Sequence, residues 1–108
     1  MQIKLTTTGR RSGTERTATL YAWEHGDDLI VVGSWGGRPR DPDWAGNLRA
    51  DPRASVKHGR ETFDVVAHEL DGRDRERAWA LVVERFPLYA TYQRKTERRL
   101  PLFALRRR

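Results

Sequence analysis

The stretch Gly9-Arg10-Arg11-Ser12-Gly13, with Arg16 three residues further on, places three guanidinium groups around a pair of glycines. Glycine lets a backbone adopt conformations in which successive N–H groups converge on one anion. Arginine adds fork-shaped donors that match pairs of phosphate or carboxylate oxygens, and Ser12 adds a hydroxyl. The spacing is neither GxxxxGK[ST] nor GxGxxG, so the chemistry suggested is an anion grip without a nucleotide fingerprint. An arginine-rich surface turn explains the same residues equally well.

A second stretch, Gly33-Ser34-Trp35-Gly36-Gly37, follows an apolar run. A nucleophile elbow needs glycine two residues before its serine, and Val32 stands there. Ser34 therefore suits a hydrogen-bond donor at a strand end, and Gly36 and Gly37 allow a flat ligand to approach closely. An ordinary glycine loop is the plainer alternative. Trp35 and Trp44 bracket the segment 35–43 and could line a slot, although packing is the commoner role for Trp44. Tyr89 and Tyr92 lie at i, i+3 beside Phe86, with two hydroxyls that need water or a partner.

Other chemistries are excluded. There is no Cys, which removes thiol nucleophiles, disulfides, zinc ribbons and iron–sulfur clusters. His25, His58 and His68 lack metal-ligand spacing, and no metal is expected. Asp27, Asp28, Asp71 and Asp74 fall in turns and caps, where local hydrogen bonds account for them. No apolar run approaches the ~18 residues of a membrane span. The opening MQIKLTTTG lacks an apolar signal core, so a cytoplasmic protein is expected.

The 108 residues form one expected domain, 1–108, with 21 Lys+Arg against 15 Asp+Glu and a net charge of +6. Residues 1–19 hold four basic and one acidic side chain, and residues 93–108 hold seven and one. Acidic side chains outnumber basic ones between them. Such ends could meet an anionic cofactor, lipid or nucleic acid, or simply be solvated. No nucleic-acid-binding pattern accompanies them.

The elements that must position these residues follow from periodicity. Residues 3–8, 16–25, 29–34, 53–58, 61–70 and 100–105 read as strands. Ala18, Leu20 and Ala22 share one face, and Thr19, Tyr21 and Trp23 the other. Gly26-Asp27-Asp28 makes a hairpin of 16–34. Asp41 is placed as N-cap and Pro42 as the first residue of a helix over 42–50. A second helix, with Trp79 in the core, spans 75–86, and a third piece spans 87–95. About six short antiparallel strands with few helices imply a mainly β (α+β) small barrel.

Taken together, LTTTGRRSGTER, VVGSWGG, DPDWAGNLRADP and FPLYATYQRKTERRLPLF resemble the deazaflavin-dependent nitroreductase family, from Ile3 to about Leu105. The resemblance implies an FMN-binding split-barrel-like fold and an actinobacterial oxidoreductase using coenzyme F420. By the same resemblance, Arg10, Arg11, Ser12, Gly13 and Arg16 would grip the phosphodiester and carboxylates of the cofactor tail. Ser34, Trp35, Gly36 and Gly37 would lie along its ring and phosphate, and Trp44 and Asn47 would shape the pocket. Tyr89, Tyr92 and Ser34 are the implied catalytic donors. Trp35 stands where the family's nitroreductase has Lys, Ala45 follows the conserved Trp where an aromatic is frequent, and Phe86 replaces an aromatic hydroxyl. Family members usually carry a helical extension before the first strand, with which this chain opens.

The expected activity is hydride transfer from reduced F420 to a quinone, or incidentally to a nitroaromatic, with FMN as the secondary cofactor candidate. The alternative is a non-catalytic member that holds fatty acid or another apolar ligand. Nucleic acid is not expected as a partner, peripheral contact with the inner membrane face is compatible, and monomer and homodimer stay open.

Overall fold

Alternating β-branched residues make Gln2–Thr8 a strand, β1, whose Ile3, Leu5 and Thr7 point inward and are buried. The computed structural model describes residues 1–108. Strand β2, Glu15–Tyr21, pairs antiparallel with β1 from Gln2↔Tyr21 to Thr8↔Glu15. The single strand expected over 16–25 breaks at Ala22. Beyond it β3, Trp23–His25, leaves β1 and pairs with β4, Asp28–Val32. Ala22 is fully buried, and the Met1 amino group donates to its carbonyl at 2.9 Å. Its own N–H reaches the Met1 carbonyl at 2.8 Å, so the β1 ladder ends there.

Then come α1 (Asp43–Ala50), β5 (Arg53–His58), β6 (Glu61–Glu69), α2 (Gly72–Arg85), α3 (Leu88–Arg94) and β7 (Leu102–Arg107). The sheet order is β2-β1-β5-β6-β7-β4-β3, antiparallel throughout. Its edge strands, β2 and β3, are consecutive in the chain. The sheet therefore curls on itself into a split barrel, as expected, and the seventh strand is the product of the break at Ala22.

Strands β4 and β7 are buried on both sides, which is why LIVV and LFAL read as unbroken apolar runs. Val31, Phe103 and Leu105 join Ile3, Leu5, Val56 and Val65 inside the barrel, where α1 contributes Ala45 and Leu48. Ile30, Val32, Leu102 and Ala104 face outward against Ala78 and Val82 of α2 and Tyr89 of α3. Trp79, expected in the core, is half-buried at the rim of this outer layer, with Arg75 5.8 Å from its ring centre.

Several boundaries differ from expectation; the strand expected over 29–34 is β4, Asp28–Val32, and the piece expected over 87–95 is α3, Leu88–Arg94. The closing strand runs 102–107 rather than 100–105, because Pro101 has no N–H for the ladder. Its carbonyl instead accepts the Gly33 N–H at 2.8 Å. Helix α1 starts at Asp43 with Pro42 extended at the cap, since the Asp41 carboxylate is held by two arginines. Helix α2 starts at Gly72, with Asp71 at its N-cap.

Candidate functional site

The glycine–arginine segment closes as a tight loop between β1 and β2. Gly9 N–H donates to the Thr14 carbonyl and Gly13 N–H to the Gly9 carbonyl, both at 2.8 Å. Gly13 needs its φ of +73°. The Ser12 hydroxyl accepts the Thr14 N–H at 3.2 Å and pairs with the Thr14 hydroxyl at 2.7 Å. The main-chain N–H groups of Arg11 and Ser12 have no acceptor within the chain. Arg11 and Arg16 are exposed and make no ion pair.

Arg10, expected to grip the cofactor tail, and Asn47, expected to shape the pocket, are engaged with each other. The Asn47 carbonyl oxygen accepts the Arg10 N–H at 3.1 Å and its Nη1 at 2.9 Å. The Asn47 amide donates to the Thr7 hydroxyl at 3.1 Å. Arg10 also donates to the Asp43 carbonyl at 3.1 Å. Asn47 is 3% exposed, and a buried amide with all these bonds is a brace. It fastens the glycine–arginine loop to α1.

The second glycine stretch forms one 3-10 turn, Trp35–Gly37. Trp35, Gly36 and Gly37 all have positive φ, 42°, 63° and 79°. A Cβ on Gly37 would sit 2.7 Å from the Tyr92 carbonyl oxygen, so only glycine lets the turn rest on α3. Arg38 and Arg40 cover the Trp35 ring, at 4.7 and 5.6 Å from its centre.

Two cavities meet along these loops. One, about 500 Å³, is lined by the glycine–arginine loop with Arg11, Arg16, Asp43 and Asn47. The other, about 310 Å³, is lined by Tyr21, Ser34, Gly36, Phe86, Tyr89 and Tyr92. Trp35, Pro42 and Trp44 line both. The result is a groove with a cationic end and an aromatic end, and Trp44 is fixed edge-on against Phe103 with ring centres 5.9 Å apart. Every expected site residue lines it or, for Gly13 and Gly37, shapes a loop that does.

At the aromatic end, Phe86 lies 4.8 Å from Tyr89 and 6.4 Å from both Trp23 and Tyr92. The Trp23 Nε1 donates to the Tyr89 hydroxyl at 3.0 Å. Burial pushes the Tyr89 phenol above its usual pKa, and the indole bond opposes that only in part. Tyr89 is thus a neutral phenol whose oxygen is already an acceptor, leaving its proton free to donate.

Three contributors escaped the sequence. Tyr21 and Trp23 lay in the expected strand, but the fold was needed to bring them to α3. Arg98 sat in the basic C-terminal run, which solvation explains equally well. It instead bonds Asp41 at 2.7 Å across 57 residues of chain, with no local signal. Three other arginines of that run behave alike: Arg106 pairs with Asp28, Arg107 with Glu61 and Arg108 with Asp64. Most of the C-terminal charge thereby neutralises the acidic middle, while Arg11 and Arg16 stay free at the groove.

A family model described as F420H(2)-dependent quinone reductase matches residues 1–107. F420H(2)-dependent quinone reductase Rv1261c of Mycobacterium tuberculosis is 36% identical over 109 residues, covering 98% of this chain and 73% of that protein. The solved structure described as F420-H2 Dependent Reductase (FDR-A) is 41% identical, with a TM-score of 0.86 over 96% of this chain and 92% of that one. Another, described as a domain-swapped dimer, is 41% identical with a TM-score of 0.87, covering 96% of this chain and 78% of that one. No helix here is long and apolar enough to cross a membrane.

Proposed function

The chain belongs to the F420H(2)-dependent quinone reductase family, and from that premise we propose that its groove binds reduced coenzyme F420 beside a quinone acceptor. The observation that carries this reading is the continuity of the cationic and aromatic cavities through Trp35, Pro42 and Trp44. The donor set suits the group: free arginines and unpaired main-chain N–H groups for an anionic tail, and aromatic walls for a flat ring. Bound there, F420 supplies a hydride from C5 of its reduced deazaflavin.

The residues divide the work. Arg11, Arg16, Ser12 and the Gly13 turn hold the phosphodiester and carboxylates, with Arg10 and Asn47 keeping that loop on α1. The main chain of Ser34 to Gly37 follows the ring edge, Trp35 covers the junction of the two cavities, and Trp44 forms a wall. Tyr89, Tyr92 and Ser34 present hydroxyls to the acceptor oxygen as hydrogen-bond or proton donors. The aromatic cluster keeps water from the transfer. Nitroaromatics are incidental acceptors.

A titration of the tryptophan fluorescence with F420, and in parallel with FMN, tests the assignment. Quenching by F420 at micromolar concentration without a matching FMN response is expected, followed by anaerobic oxidation of reduced F420 by a menaquinone analogue. No response to F420 would overturn it and favour an apolar ligand or FMN. Exposed Tyr21 and Leu88 offer apolar contact for a lipid surface from which a quinone could enter, which flotation with anionic vesicles checks. The solved relative described as a domain-swapped dimer makes segment exchange the pairing to look for by light scattering.

A further inference from the structure

A single guanidinium bonds four acceptors along the turn that carries Ser34 and Trp35, beside the turn's own bond from the Gly37 N–H to the Ser34 carbonyl at 2.8 Å. Arg98 has a side chain 13% exposed. Its Nε donates to the Arg38 carbonyl at 2.8 Å, and its Nη1 to the Gly33 carbonyl at 3.0 Å and the Asp41 carboxylate at 2.7 Å. Its Nη2 donates to the Ser34 carbonyl at 2.8 Å. All four acceptors lie between residues 33 and 41. Asp41 is also bonded by Arg49 at 2.8 Å, and Arg49 binds Glu69 of β6 through two bonds of 2.8 and 2.9 Å. Arg98 is therefore tied to the barrel wall.

A trans peptide points its N–H opposite to its C=O, and no peptide bond here is cis. Drawing the Gly33 and Ser34 carbonyls onto Arg98 turns the N–H groups of Ser34 and Trp35 the other way. Both residues line the aromatic end of the groove, and the Ser34 N–H has no acceptor in the chain. We propose that Arg98, outside the groove, is a positioning residue that sets the Ser34 and Trp35 N–H groups as a ready pair of donors for an oxygen on the polar edge of the bound ring. The proposal rests on the cofactor reading above. Only a planar fork reaches four acceptors so spread, and a lysine ammonium is a single point of donation.

The test compares wild type, Arg98→Lys and Arg98→Ala, the last with and without added guanidinium ion. In the free protein, the amide resonances of Ser34 and Trp35 are expected to move in both variants and to return toward wild type when guanidinium is added to Arg98→Ala. F420 affinity, read by fluorescence, is expected to fall on the order of tenfold in Arg98→Lys and to recover with guanidinium in Arg98→Ala. Should both variants fail to fold, Asp41→Asn, which loosens the guanidinium without removing it, is expected to give a smaller movement of the same amides and a smaller loss of affinity. Unmoved amides, or unchanged affinity where wild type binds F420, would overturn the positioning role. A wild type that does not bind F420 would overturn the cofactor reading, and the free-protein amides would still decide on Arg98.

Discussion

The indole of Trp23 donates its N–H to the hydroxyl of Tyr89 at 3.0 Å, joining residues 66 apart in the chain. The bond couples β3, at the edge of the sheet, to the helix that forms one wall of the groove. It also occupies one lone pair of the phenol, which leaves the Tyr89 proton free to donate. Replacing Trp23 by Phe keeps an aromatic ring between Tyr21 and Phe86 and removes the N–H together with the second ring of the indole. Denaturant unfolding should show a loss of about 1–3 kcal/mol. An ultraviolet titration of tyrosine should show the Tyr89 phenol moving further up, because the one influence that lowers it is gone.

The same phenol gives a pH dependence at the alkaline end. Its pKa in the fold is raised above the ordinary 10.0. Stability from keeping it neutral is therefore fully present below about 10 and declines as pH rises through the folded value. Thermal midpoints measured into alkaline buffer should fall less steeply for Tyr89→Phe than for wild type.

Glu69 acts in the opposite direction. Its hydrogen bonds from Arg49 hold it below its usual 4.5. Its contribution is present above 4.5 and is lost as pH falls through the lower folded value. Both side chains are more than a third exposed, so the contribution is under about 1 kcal/mol. Glu69→Gln should flatten the acid limb of the stability profile.

The free arginines Arg11 and Arg16 and the Asn47 brace should separate cleanly. Arg11→Ala with Arg16→Ala should weaken F420 binding by about ten- to a hundredfold with an almost unchanged thermal midpoint. Asn47→Ala, which leaves Arg10 and Thr7 without their buried partner, should cost about 2–3 kcal/mol in denaturant unfolding. Equal F420 affinity in the arginine double variant would sink the tail assignment.

Gly37→Ala meets two obstacles, a φ of +79° and a carbonyl 2.7 Å from the new Cβ. A loss of about 2 kcal/mol or more is expected, together with faster amide exchange across residues 34–38 as the turn lifts from α3.

Elements built from local pattern were legible in the sequence. The hairpins, α1 and the tyrosine face of α3 follow from alternation, glycine turns and helical spacing. The break at Ala22 was hidden because Leu20 and Ala22 keep alternating while the chain exchanges one pairing partner for another. Arg98 was hidden for a different reason: nothing near it in the chain says that its acceptors are on a distant loop. Asn47 was expected only to shape the pocket, and the packing of α1 on the loop showed which groups its bonds reach.

The passage of one strand through Ala22 bears on solubility. An open sheet offers two long rows of unpaired peptide groups that a foreign strand can extend. Here the same stretch pairs on one side as β2 and on the other as β3, so the free rows are only seven and three residues long. The three-residue row is too short to template the stacking of many copies, and the seven-residue row carries the charges of Glu15 and Arg16. The two ends of the sheet also cannot drift apart, since a single buried alanine joins them. A protein that must hold a slot open for a flat molecule keeps that opening without leaving a sticky margin around it.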